Sequence, residues 1–136
     1  MNSTGLTQEH CVGASSELKA AAHYTGQGHQ VYFPMVSQSH VDFILERQGK
    51  LDRVQVKTAT WNKSYANHYL QARTRLTNKH QDKKPSDCYD LFVVVHENDI
   101  WEIPADLIKS SNISLRRTNT KHNRPSPWEG FRRVLN

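Results

Sequence analysis

The chain has 136 residues, enough for one domain with a buried core and too few for two. Its 18 lysines and arginines against 13 aspartates and glutamates leave a formal net charge of +5, a balance that favours polyanionic partners. Cys11 and Cys88 have no paired spacing, which argues against a disulfide framework or a structural zinc site; Met1 to His10 has no signal-peptide core, and no apolar run approaches a membrane span. A cytoplasmic protein away from membranes is the expectation.

Thr7 predicts an N-cap for a helix running to about Gln27, stopped by Gly26-Gln27-Gly28, with Val12, Leu18, Ala21 and Ala22, joined by Cys11 and Ala14, as its apolar face. His29 to Pro34 reads as a short buried strand ended by proline. Val41 to Glu46 alternates in part between apolar and polar residues. A second such run ends at Gln55-Val56-Lys57, and the turn-like Gln48-Gly49-Lys50 between them predicts an antiparallel pair.

His68 to Leu76 is the next expected strand, with Tyr69, Gln71, Arg73 and Arg75 forming a polar, basic face. Tyr89 to Val95 is the most apolar run and predicts a central strand. After a turn at Glu97-Asn98-Asp99 come a strand at Ile100 to Pro104, a helical turn at Ala105 to Lys109, a short strand at Ser114 to Thr118 and a short helix at Trp128 to Leu135. The polar stretches Lys79 to Ser86 and Thr118 to Pro127 read as linkers within one domain, 1–136, that has a basic extension from about 116. The expected class is α/β, an α+β mixed sheet mostly of hairpin-connected strands, with flanking helices.

On the second predicted strand of the hairpin, Gln55 and Lys57 point to one face while Val54 and Val56 point to a core. Asp42 opens the neighbouring strand, so a carboxylate, an amide and an ammonium can converge, and the set reads as a metal-dependent phosphodiester-cleaving centre. Hydrolysis of a phosphodiester brings water to an anionic phosphorus, which a bound Mg²⁺ assists by neutralising charge and acidifying the water. Such an ion takes hard oxygen ligands, often only one or two carboxylates from the protein. The expected central metal ligand is Asp42, with the Val56 backbone carbonyl second and the Gln55 oxygen a neutral third or a water-holder; Glu17, carried in from the helix, takes a metal-coordinated water or a second ion, and Lys57 acts on the attacking water. Asp90, at the start of the apolar strand, reads as a structural hydrogen-bonding residue, and the 8 scattered histidines as surface or DNA-facing groups rather than zinc ligands.

Taken in order, these residues resemble the PD-(D/E)xK nuclease superfamily, and within it the branch of bacterial and phage homing endonucleases with this fold. The motifs are Gly13 and Glu17 on the first helix, Gly28-His29-Gln30-Val31-Tyr32-Phe33-Pro34, Asp42, and Val54-Gln55-Val56-Lys57, followed by Tyr89-Asp90-Leu91-Phe92 and Trp101-Glu102-Ile103-Pro104. The resemblance spans about Gly13 to Leu115. Val41 replaces the proline of the family name, which makes no metal contact, and Gln55 replaces the second acid, which removes one anionic ligand.

The resemblance implies a restriction-endonuclease-like core and a Mg²⁺-dependent, site-specific endonuclease acting on double-stranded DNA, with Mn²⁺ as a substitute and a bacterial or phage-infected cell as its setting. A Holliday-junction resolvase of the same superfamily and a non-catalytic DNA-binding protein on a degenerate nuclease fold are the alternatives. Double-strand cleavage implies a homodimer or homotetramer. Lys63, Arg73, Arg75, Lys79, Lys83, Lys84, Arg116 and Arg117 are the expected DNA contacts, with Trp61, Tyr65 and Tyr69 as possible stacking groups.

Overall fold

The computed structural model describes residues 5–36, 40–62, 69–74, 83–115 and 127–135. A helix α1, Gln8–Gly26, opens the fold. Thr7 caps it, its Oγ1 accepting from His10 N at 3.2 Å. At the other end Gly28 takes a φ of +88° that an L side chain resists, and His29 N closes back on the Tyr24 carbonyl at 3.1 Å.

Among the described residues nine strands follow: β1 Gln30–Tyr32, β2 Phe43–Arg47, β3 Lys50–Thr58, β4 Thr60–Asn62, β5 Tyr69–Arg73, β6 Leu91–His96, β7 Asp99–Pro104, β8 Asn112–Ser114 and β9 Arg132–Val134. A four-residue helix α2, Pro85–Cys88, precedes β6. The main sheet has the order β1-β2-β3-β6-β7-β9, and a second sheet has the order β4-β5-β8. All pairings are antiparallel except β3 with β6, whose parallel register sets Val54 beside Leu91 and Lys57 beside Val94. The β2–β3 hairpin closes through Gln48 and Gly49, both at positive φ, the twist that a two-residue hairpin turn requires.

The main sheet is covered on both faces. Leu91, Val93 and Val95 of β6 pack toward α1 with Val54, Val56, Phe43 and Leu45, whereas Phe92 and Val94 face Leu70, Ala72 and Ile113 of the small sheet, together with Trp101 and Ile103. This double coverage explains why β6 is a continuous apolar run rather than an alternating one. Among the described residues no helix is long and apolar enough to cross a membrane.

Several expectations need correction. Of the predicted apolar face of α1 only Ala21 is buried; Val12 is 42% and Leu18 64% exposed. The helix instead packs through Ser16, Ala20, His23 and Tyr24, where small side chains let it lie close to the sheet and larger groups fill its far end. The segment expected as a buried strand is an exposed edge strand that ends before Phe33 and Pro34, because only β2 pairs with it. His23 is buried rather than surface, and burial holds its imidazole below the ordinary value. The expected C-terminal helix is a 3-10 turn at Glu129–Phe131 followed by β9, which gains backbone bonds by pairing with β7. The mixed sheet is as expected, with its parallel pair at β3 and β6, whereas the second sheet and α2 are not among the expected elements.

A polar cluster ties the far end of α1 to the sheet. Glu102 of β7 receives both Arg47 nitrogens at 2.8 and 2.9 Å and the Tyr24 hydroxyl at 2.8 Å. Burial alone would raise the Glu102 carboxyl, but the bonds from Arg47 and Tyr24 outweigh it and hold the carboxyl below its ordinary value. The sign is that of a depressed acid: the stabilisation is complete above the ordinary carboxylate range and is lost as pH falls through it. Glu102→Ala strands Arg47 and Tyr24 and is expected to cost about 2 kcal/mol in urea unfolding at pH 7, with the loss shrinking in acid. Lys50→Ala, which removes an exposed ammonium 3.5 Å from the buried Asp52 carboxylate, is expected to cost about 1 kcal/mol, less than Glu102→Ala because Lys50 itself stays in water.

Candidate active site

The site forms where β3 runs past the start of β2. β2 begins at Phe43, opposite Val54, so no β2 residue faces Val56. Along an extended strand, alternate residues direct their N–H and C=O groups to the same side. Val54 sends its carbonyl to Asp42 N at 2.7 Å, so Val56 directs both backbone groups into the gap beyond. The Asp42 carboxylate fills that gap: Oδ2 accepts from Val56 N at 2.6 Å and from Gln55 Nε2 at 3.1 Å. The side chain thereby continues the hydrogen bonding that β2 abandons, and the Val56 carbonyl faces the same opening.

Glu17 arrives from the other side. α1 runs antiparallel to β3, and Ser16 Oγ lies 2.6 Å from Thr58 Oγ1 at the strand's last residue. Ser16 precedes Glu17 and Thr58 follows Lys57, so this bond sets the separation of the helix and strand that carry both groups. Glu17, Asp42, Gln55, Val56 and Lys57 all line one cavity of about 590 Å³, with Gly13 and the first turn of α1 forming a further wall.

The electrostatics reflect that crowding. Partial burial, then a hydrogen bond and charge repulsion from Asp42, push the Glu17 carboxyl from 4.5 up to about 7. Two carboxylates in mutual contact beside an open cavity, with a backbone carbonyl directed the same way, are a hard oxygen donor set, and this set fits a Mg²⁺-like ion that keeps several waters. Among the described residues there is no group of three or more His, Cys, Asp or Glu side chains that could hold a metal. The Gln55 amide presents its nitrogen to Asp42. A glutamate there would repel Asp42 instead, so the neutral side chain steadies the carboxylate that an acid would strain.

Asp90 accepts from Arg53 N at 2.7 Å and from the Arg53 guanidinium at 3.1 and 3.2 Å, a structural tie between β3 and the approach to β6. Arg73 is exposed on β5. Lys83 and Lys84, also exposed, line a separate cavity of about 780 Å³ together with Lys109. Lys63, Arg75, Lys79, Arg116 and Arg117 lie outside the described residues, as does Tyr65, and the side chain of Tyr69 is likewise not described. Sequence reasoning missed the Ser16–Thr58 bond. Its one signal was a serine four residues before Ala20, on a stripe that the structure buries.

A family model described as PD-(D/E)XK endonuclease matches residues 7–131 of the chain. Protein 5.3 of Escherichia phage T7 is 33% identical over 104 residues, covering 76% of this chain and 86% of that protein. The solved structure of a bacterial homing endonuclease, I-Ssp6803I, superposes with a TM-score of 0.71 at 22% identity over 90% of this chain and 85% of that one, so the fold is shared.

Because Asp42 contributes to the raised Glu17 value, Asp42→Asn is expected to lower the Glu17 titration from about 7 toward the ordinary range, as read by carboxyl-carbon NMR. At Glu17 the native chain holds more protons than the unfolded one between 4.5 and about 7, so this group's contribution to stability should fall as pH rises through that window, against the opposite contribution of His23. Asp42→Asn should flatten the slope.

Proposed function

The chain belongs to the PD-(D/E)XK endonuclease family, and on that premise we propose that it is a Mg²⁺-dependent, site-specific endonuclease of the homing type that hydrolyses double-stranded DNA. The observation that carries this reading is the convergence of Glu17, Asp42, Gln55, Val56 and Lys57 on one cavity from α1, the approach to β2, and β3. The likeness in fold to a bacterial homing endonuclease and the relative in a phage support it, and with it a setting in the bacterial or phage-infected cell.

Asp42, Glu17 and the Val56 carbonyl would hold the metal in this proposal, with Mn²⁺ an expected substitute. Bound there, Mg²⁺ neutralises phosphate charge and acidifies a water. Asp42 is oriented by the Val56 N–H and the Gln55 amide before any ion arrives. Glu17, protonated in part near neutrality, would supply the second anionic oxygen to a bound ion once its proton has passed to solvent water. Lys57 is exposed on the cavity, and its ammonium orients the attacking water and stabilises charge developing on the phosphorane-like transition state. Arg73, Lys83 and Lys84 are proposed DNA contacts, along with Lys63, Arg75, Lys79, Arg116 and Arg117. One centre cuts one strand, so cleavage of both requires a homodimer or homotetramer whose symmetry matches the target.

The test is digestion of a plasmid or phage-genome library with Mg²⁺, beside Ca²⁺ and EDTA controls. Discrete fragments that require Mg²⁺ are expected, with Lys57→Ala losing about 10²- to 10³-fold in rate and Asp42→Ala at least as much. Cutting confined to four-way junctions would replace site-specific cleavage with junction resolution, and intact DNA of both kinds would remove the nuclease proposal.

A second expected outcome concerns Gln55→Glu. Removing the amide donor and adding a third carboxylate should lower the thermal midpoint in EDTA and make it rise more steeply with Mg²⁺ than the parent's does. Equal midpoints with and without Mg²⁺ in both proteins would count against metal binding here.

A further inference from the structure

Gly13 sits in the interior of α1, where glycine is the least favourable residue apart from proline. Among the described residues nothing asks for it. Its φ is not in the left-handed region, and a Cβ built on its backbone would meet no atom of the described residues beyond its own helical backbone within 4 Å. The usual reasons for a helical glycine, an unusual backbone angle or a close neighbour, are both missing.

Its place in the helix supplies a reason. Gly13 lies on the same stripe as Ser16, Ala20, His23 and Tyr24, the residues through which α1 packs on the main sheet. Ser16 meets Thr58, the last residue of β3. Position 13 is nearly one turn further along an antiparallel helix, so it overhangs the end of the strand. Here the stripe faces the cavity that holds Glu17, Asp42 and Lys57 rather than the sheet. Glu17, one turn along the helix from Gly13, lines the same wall.

We propose that Gly13 is a notch in the wall of the active site through which the deoxyribose–phosphate backbone next to the scissile phosphate passes against the helix. A missing side chain lets a ligand approach the backbone closely, and the ligand here is the DNA strand being cut. The inference rests on the nuclease reading above and adds a contact position to it. Gly13 supplies no reacting group; any side chain there occupies space that the strand needs.

The test uses the full chain with Gly13→Ala, Gly13→Leu and, as a control on the exposed neighbour, Ala14→Leu. Three quantities are read: the thermal midpoint, plasmid binding in Ca²⁺, and plasmid cleavage in Mg²⁺. Gly13→Ala should match or exceed the parent's midpoint while losing about tenfold in cleavage, and Gly13→Leu should lose more than about a hundredfold, with binding in Ca²⁺ weakened in parallel. Ala14→Leu should bind and cut as the parent does. A folded Gly13→Leu that binds and cuts within about twofold of the parent overturns the proposal, and if the leucine variant does not fold, a stable Gly13→Ala with parental binding and cleavage overturns it equally. A parent that cuts nothing refutes the nuclease reading, while the Ca²⁺ binding comparison still decides whether DNA passes position 13.

Discussion

The hydrogen bond from Val56 N to the Asp42 carboxylate, at 2.6 Å, is the constraint around which the candidate active site is organised. A strand that outruns its neighbour leaves backbone groups without partners, and burying them unpaired is costly. Here the last residue before β2 answers that need with its side chain. The same bond satisfies the Val56 N–H, orients the Asp42 carboxylate, and leaves the Val56 carbonyl facing the opening, so the end of strand pairing and the origin of the donor set are one event. The neighbouring parallel pair, β3 with β6, holds the other side of β3 in place through Val54 to Thr58.

The helix is fixed at two points along its length. Near its C-terminal end, Tyr24 reaches Glu102, which also receives Arg47. Nearer its start, Ser16 meets Thr58. Between these anchors the small side chains of Ala20 and Ala21 let the helix lie close to the sheet, and this brings Glu17 against Asp42. The cost of that closeness appears in the Glu17 carboxyl, pushed to about 7 by burial and by Asp42. A fold optimised only for stability would separate the two acids; their closeness is what the proposed metal site calls for.

Gln55 and Gly13 belong to the same pattern. The Gln55 amide donates to Asp42 where an acid would repel it, and the carboxylate nearest Asp42 is Glu17 on the helix. A glycine one turn before that carboxylate leaves room beside it. Both line the cavity that the proposed function assigns to the metal and the DNA strand.

Much of this was legible in the residue order. Thr7 and the Gly26-Gln27-Gly28 stop bounded α1, the Gln48-Gly49 turn located the hairpin, and the apolar run from Leu91 marked the central strand, because caps, turns and doubly buried strands leave local signals. Asp42, Gln55 and Lys57 could be grouped because strand alternation operates over a few residues. The buried face of α1 could not be read, since its stripe contains Ser16 and His23, polar residues whose burial depends on the sheet they dock on; for Ser16 the partner, Thr58, is 42 residues away in the chain. For the same reason the edge position of β1, the parallel register of β3 on β6 and the second sheet emerged only with the tertiary structure. Local sequence determined which elements form and which chemistry they carry; the long-range pairing of strands and the docking of α1 decided which of those groups meet, because contact between distant residues is set by packing and register rather than by spacing along the chain.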